Sequence, residues 1–188
     1  MHPYLRTCRD LERARVPYLI VGAFGADLYA RDAGCVITTQ DCDLLLPPDP
    51  AILSRAVGVL MKLGYSLEAG GEPVDRDPDL IQGIVRALGC VRAAKRDVRI
   101  DLPLQIAGCA FRSLWKKHRQ MKAGGVMVRV APLADILRSK KLADRPKDRL
   151  FLALWEDALR QILEPTPFGS SDRKRAPRRP KGRGRRPS

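Results

Sequence analysis

Hydrophobic and polar positions divide the chain into short segments of helical and extended period. Over 4–15, Leu5, Cys8, Leu11 and Ala14 recur three apart among charged residues, which predicts an amphipathic helix. Pro17 stops it. Tyr18, Leu19, Ile20 and Val21 then form a compact run closed by Gly22, the pattern of a buried strand entering a tight turn. A helix is predicted over 23–30 with Phe24, Leu28 and Tyr29 inward, then a connection over 32–40 and a second strand over 41–46 that Pro47 and Pro48 cut off.

A third helix is predicted over 50–63 with Ile52, Leu53, Val57, Leu60 and Met61 apolar, and Gly64 suits its C-terminal cap. Residues 64–79 are rich in Gly, Pro and Asp and predict a strand fragment and a long loop; 80–88 fits helix and strand equally. The run 99–106, RIDLPLQI, predicts a strand that its proline makes short or places near an edge. A helix with one basic face is predicted over 111–121. Gly124 and Gly125 precede an alternating strand at Val126, Val128 and Val130. Two final helices, 133–143 and 147–163, are separated by Asp144, Arg145 and Pro146, where a first-turn proline costs no hydrogen bond. No internal repeat is visible. The order of elements predicts an α/β (α+β) domain over 1–163, a mixed sheet with flanking helices and a helical C-terminal part over 132–163.

Composition changes this picture in two places. The chain has 188 residues, 45% of them hydrophobic, enough for one domain with its own core. Thirty-five Lys and Arg against 21 Asp and Glu leave a net charge of +14. Nine basic and two acidic residues over 164–188 hold +7 of it, which leaves +7 on 1–163. That terminal stretch is otherwise Pro, Gly and Ser, so it is predicted to be a disordered basic tail. A surplus of this size favours polyanionic partners, nucleic acid first, with plain solubilisation of the tail as the alternative.

Other chemistries are poorly served. Five cysteines form no CxxC pair and read as reduced thiols of a cytoplasmic protein. The two histidines, His2 and His118, are far apart, which argues against a zinc site or a Ser-His-Asp triad. No apolar run approaches the roughly 20 residues that span a bilayer, and the charged N-terminus lacks a signal-peptide core, so no membrane partner is expected. There is no GxxxxGK[ST] phosphate loop and no EF-hand loop.

What remains is carboxylate chemistry. On a strand, Asp41 and Asp43 project from one face about 6.6 Å apart while Cys42 points to the core. Two such carboxylates are either solvated or hold a cation between them, and hard oxygen ligands favour Mg²⁺ or Mn²⁺ bridging to substrate phosphates. Asp101, in the apolar run Ile100-Asp101-Leu102, is the candidate third ligand. A lone Asp-x-Asp is weak evidence; the order strand, glycine turn, helix, Asp-x-Asp strand, later Asp strand is stronger.

This arrangement resembles the nucleotidyltransferases of the DNA polymerase β-like superfamily, in particular the AbiEii/AbiGii toxin type, over residues 10 to about 163. The resemblance implies the nucleotidyltransferase fold. It also implies an NTP site at Gly22 and Ala23, where the family carries Gly-Gly or Gly-Ser, two Mg²⁺ ions on Asp41 and Asp43, and Asp101 as third ligand and aid to deprotonation. The stretch from Ile136 to Asp148 resembles the family's lysine helix and Lys-Asp element, which implies nucleotide contacts from Lys140, Arg145 and Lys147, with Asp148 orienting Lys140. Lys140 is preferred to Lys141 because it borders the apolar stripe of Ile136, Leu137 and Ala143; a surface ion pair is the alternative for Asp148. Thr39 matches a family threonine. Ala23, Ile37 and Phe151 depart from the pattern, at positions of a second Gly or Ser, an arginine and an acidic residue. The implied activity is NMP transfer from an NTP to an acceptor hydroxyl, RNA or tRNA as in toxin-antitoxin systems, with a cognate antitoxin as a possible partner. Transfer to a protein or to a small molecule such as an aminoglycoside, or a non-catalytic RNA-binding module, are the alternatives.

Overall fold

The structure, a computed structural model, describes residues 2–163. The predicted tail, 164–188, lies outside the described residues. Eight strands, β1 (Leu19–Val21), β2 (Asp41–Leu45), β3 (Ser66–Ala69), β4 (Glu72–Pro73), β5 (Cys90–Lys95), β6 (Val98–Pro103), β7 (Arg119–Ala123) and β8 (Val126–Val130), form one sheet in the order β4-β3-β5-β6-β2-β1-β8-β7. It is mixed: β1 runs antiparallel to β2 and parallel to β8, and β2 runs parallel to β6. Seven helices accompany it among the described residues: α1 (Pro3–Arg13), α2 (Gly22–Asp32), α3 (Pro50–Lys62), α4 (Pro78–Arg86), α5 (Phe111–Trp115), α6 (Leu133–Ala143) and α7 (Pro146–Leu163). None of these helices is long and apolar enough to cross a membrane.

The central strands are apolar because both of their faces are covered. Ile20 of β1, Leu44 and Leu45 of β2 and Ile100 and Leu102 of β6 are fully buried, each contributing about 1.5–3 kcal/mol of hydrophobic stabilisation. Helix α1 packs on β6, β8 and α3; α2 packs on β1, β2, α6 and α7. Cys42 is completely buried, and that burial, with Cys8 of α1 nearby, pushes its thiol well up. Its neighbours Asp41 and Asp43 therefore stand on the other face, beneath α6 and α7, in a cavity those helices help to line.

Several sequence expectations are corrected. Residues 80–86 of the ambiguous 80–88 run belong to helix α4, whose start is fixed by Asp77 accepting a hydrogen bond from Leu80 N at 2.8 Å, while Ala87 caps it and Leu88 turns away at φ 47°. The strand fragment expected within 64–79 is β3, and part of the loop expected after it is β4, which pairs back on β3 as a hairpin. Strand β6 is interior, between β5 and β2, and Pro103 is tolerated because it is the strand's last residue. The helix expected over 111–121 ends at Trp115; Arg119–Ala123 pairs with β8 instead. Gly124 and Gly125, at φ 51° and 81°, supply the hairpin turn that L side chains resist. Met61 is 46% exposed, and Ala56 takes its expected place in the inward stripe of α3 with Leu53, Val57 and Leu60.

Candidate active site

Strand register assembles the site. Val21 is opposite Asp43 on β2, and Asp43 is opposite Asp101 on β6, so the end of β1 and two carboxylates lie in one row across three strands. One step along, Asp41 is opposite Arg99. Gly22 turns the chain from β1 into α2 with φ 65°, a conformation costly for any residue with a Cβ. A Cβ there would come within 1.9 Å of Asp43 Oδ2. The absent side chain is thus the space the carboxylate uses. Val21, at the N-cap of α2, makes no side-chain cap bond, so first-turn N–H groups at Gly22 and Ala23 remain for a ligand or water.

The carboxylates differ in their surroundings. Asp43 is held above the ordinary carboxyl range, first by burial and then by Asp101, against an opposing pull from Lys147 and Lys140. Asp41 has a buried Oδ1 with no hydrogen-bond partner among the described residues. Asp101 Oδ1 accepts a hydrogen bond from Arg92 Nε at 3.2 Å, and the same guanidinium reaches Glu68 at 3.3 Å. Thr39 fixes the entry to β2: its hydroxyl lies 3.2 Å from Asp41 O and accepts from Asp41 N at 3.4 Å.

The opposite wall comes from the turn between α6 and α7. Asp144 caps α6 in the left-handed conformation, which reverses the chain and brings Asp148 under Lys140. Asp148 is fully buried and accepts from Lys140 Nζ at 3.1 Å and from Arg145 Nε at 2.6 Å. Burial alone would raise its carboxyl; the hydrogen bonds from Arg145 and Lys140 outweigh it and hold it below the ordinary value. Lys140 also sits 4.3 Å above the Phe151 ring. Phe151, standing where the resembled pattern has an acidic residue, thus supports the same ammonium through its π face. Lys141 pairs with Glu156 at 2.5 Å and does not line the cavity.

Together Gly22, Ala23, Thr39, Asp41, Asp43 and Asp101 line one cavity of about 480 Å³ with Lys140, Arg145, Lys147 and Asp148. All ten sequence-predicted site residues are therefore brought together. A larger cavity of about 580 Å³, between α1, α2 and the β7-β8 turn, includes none of them; the smaller one holds the convergent charges and is the candidate site. Cys90, Gln105 and Ser139 line it too and were not anticipated. Arg92 was also missed, because β5 was. Ile37 has no charge to offer, but its N–H donates to buried Asp27 Oδ1 at 2.8 Å, and Arg31 donates to Asp27 Oδ2 at 2.6 Å. Asp27 therefore ties the connection before β2 to α2. Its one sequence signal is a charge inside the inward stripe of Phe24 and Leu28.

Among the described residues, no three His, Cys, Asp or Glu side chains stand in a ready ligand cluster, and Asp101 is turned to Arg92. The donor chemistry nevertheless fits a hard divalent cation. Asp41 presents an oxygen that is buried and unsatisfied, and Asp43 occupies a cradle kept open by Gly22.

No protein-family model and no curated protein sequence matches the chain. Among solved structures it is similar to the solution structure of the antibiotic-resistance factor ANT(2'')-Ia, with 16% identity, 85% of this chain and 88% of that chain covered, and a TM-score of 0.48. It is also similar to the crystal structure of ANT(2'')-Ia in complex with adenylyl-2''-tobramycin, with 13% identity, 86% and 95% covered, and a TM-score of 0.47.

Proposed function

We propose that the chain is a divalent-metal-dependent nucleotidyltransferase that moves an NMP from an NTP to an acceptor hydroxyl, with RNA as the acceptor. The observation that carries this reading is the in-register row of Val21, Asp43 and Asp101, with Gly22 next in the chain after Val21, facing the Lys140-Asp148-Arg145 cluster across one cavity. In the reaction, the acceptor oxygen bonds to the α-phosphorus as the bond to the β-phosphate bridging oxygen breaks. Pyrophosphate leaves, and the hydroxyl proton passes to Asp101.

Mg²⁺ or Mn²⁺ on Asp41, Asp43 and Asp101 would neutralise triphosphate charge and favour the ionised acceptor oxygen. The chain's own groups do the positioning. N–H groups at Gly22 and Ala23 receive the phosphates at the N-terminus of an 11-residue helix. Lys140, Arg145 and Lys147 face them from the other wall, and stabilise charge that spreads over the transferred group. Asp148 keeps Lys140 and Arg145 aimed, and Thr39 keeps Asp41 in place. Overall charge supports RNA: +14 over the chain, with +7 remaining on 1–163 once the tail's +7 is subtracted.

Incubation with α-labelled NTPs, Mg²⁺, total RNA, protein and small hydroxyl compounds, followed by fractionation, tests the proposal. Label in RNA supports it in full. Label in protein or a small molecule keeps the transferase and replaces the acceptor. Tight RNA binding with no label in any fraction refutes the enzyme.

A further inference from the structure

We infer that a basic groove leaving the candidate site past Thr39 is the track along which the acceptor RNA strand lies. The inference rests on the transferase reading for its direction, and on separate observations for its existence.

Thr39 lines both the candidate site and a second cavity of about 480 Å³, whose walls include Tyr4, Gln40, Arg96 and Arg99. That cavity in turn shares Pro3, Arg96, Asp97 and Val98 with a third, of about 320 Å³, which adds Arg6, Lys95 and Tyr65. Three hollows are thus joined end to end, between the N-terminus of α1 and the β5-β6 turn.

Charge and register select the occupant. Arg6, Lys95, Arg96 and Arg99 face the groove against one acid, Asp97. Arg96 and Arg99 are exposed and have no carboxylate partner among the described residues. The triphosphate does not need them, since Lys140, Arg145 and Lys147 already stand on the other wall of the site. Arg99 lies two residues before Asp101 on the same strand face, about 6.6 Å away. A strand whose terminal hydroxyl meets Asp101 therefore brings its preceding phosphates to Arg99 and then to Arg96 at the turn. Tyr65 lines the far end beside Lys95, whose Nζ lies 6.0 Å from its ring centre. Cations at intervals along a groove that opens from the candidate site suit a polyanionic strand with evenly spaced phosphates better than an acidic peptide.

The test uses the full chain, a fluorescent single-stranded RNA and a salt series read by anisotropy. Arg96→Asn with Arg99→Gln is compared with Arg86→Gln and Arg112→Gln, which lie outside the groove and the site. The groove pair is expected to weaken RNA binding about tenfold and to reduce the slope of log affinity against log salt by about 1.4, two phosphates at about 0.7 each. Its affinity for a non-hydrolysable NTP is expected to stay at the parent level, and the control pair to match the parent throughout. Equal loss in both pairs, no RNA binding by the parent, or selective loss of a polyglutamate peptide in place of RNA would overturn the inference. Groove-dependent RNA binding without nucleotide transfer would instead refute the transferase and leave the groove standing.

Discussion

A methyl group on Gly22 would come within 1.9 Å of Asp43 Oδ2. The glycine and the carboxylate share one space, and φ 65° at Gly22 adds backbone strain to any replacement. Gly22→Ala is expected to lower stability by about 1–3 kcal/mol and to remove transfer activity. Thermal denaturation checks the first. Because the backbone term persists without the carboxylate, Gly22→Ala with Asp43→Ala should recover part of the stability and none of the activity.

Asp43 itself should trade stability for function. Burial and Asp101 raise its carboxyl, so in the metal-free protein at neutral pH its charge is held at a cost. A carboxyl whose folded value is raised destabilises the fold as pH rises above its unfolded value. Asp43→Asn is therefore expected to stabilise the metal-free protein at pH 7 by about 0.5–2 kcal/mol while abolishing transfer. Denaturant titration in chelator measures it; a loss of stability would contradict the electrostatic account.

Asp148 should behave in the opposite sense. Its carboxyl is held below the ordinary range, burial notwithstanding, by Arg145 and Lys140. The stability it contributes is present above the unfolded value and lost as pH falls through the folded one. Asp148→Asn is expected to cost about 1–3 kcal/mol at pH 7 and to flatten the acid limb of the stability curve below pH 4. It should also raise KM for NTP, since Lys140 and Arg145 lose their common anchor.

Arg92 competes with any cation for Asp101, given the 3.2 Å contact between them. Arg92→Gln is expected to raise Mn²⁺ affinity without nucleotide by about threefold to tenfold, about 0.7–1.4 kcal/mol. Electron paramagnetic resonance of free Mn²⁺ reads this directly. Unchanged affinity would mean that Asp101 contributes nothing to cation binding in the nucleotide-free protein.

The site was legible in the sequence where each residue's neighbourhood is local. Asp41 and Asp43 share a face through the two-residue period of a strand, and Lys140 borders an apolar helical stripe; both facts need only nearby residues. The pairing of Asp43 with Asp101 spans 58 positions and is a matter of register that periodicity cannot supply. Strand β5 was missed because Val91, Ala93 and Ala94, interrupted by Arg92 and followed by Lys95, give little apolar signal, and Arg92 was missed with it. Residues 116–121 suggested a helix through basic periodicity, whereas the glycine pair at 124–125 and the valines of β8 impose a hairpin. Tertiary pairing overrode local preference there. Asp27 drew no reading from the sequence, because what it anchors, Ile37 N–H, is set by the chain path from 33 to 37.

Pyrophosphate release from NTP in the presence of Mg²⁺ and RNA, compared between the parent chain and Asp41→Ala with Asp43→Ala, tests the central claim most directly. The account predicts release by the parent with matching label on the acceptor, and a loss of at least about 10³-fold in the variant. An intact NTP pool with the parent, or equal release by the variant, would contradict it.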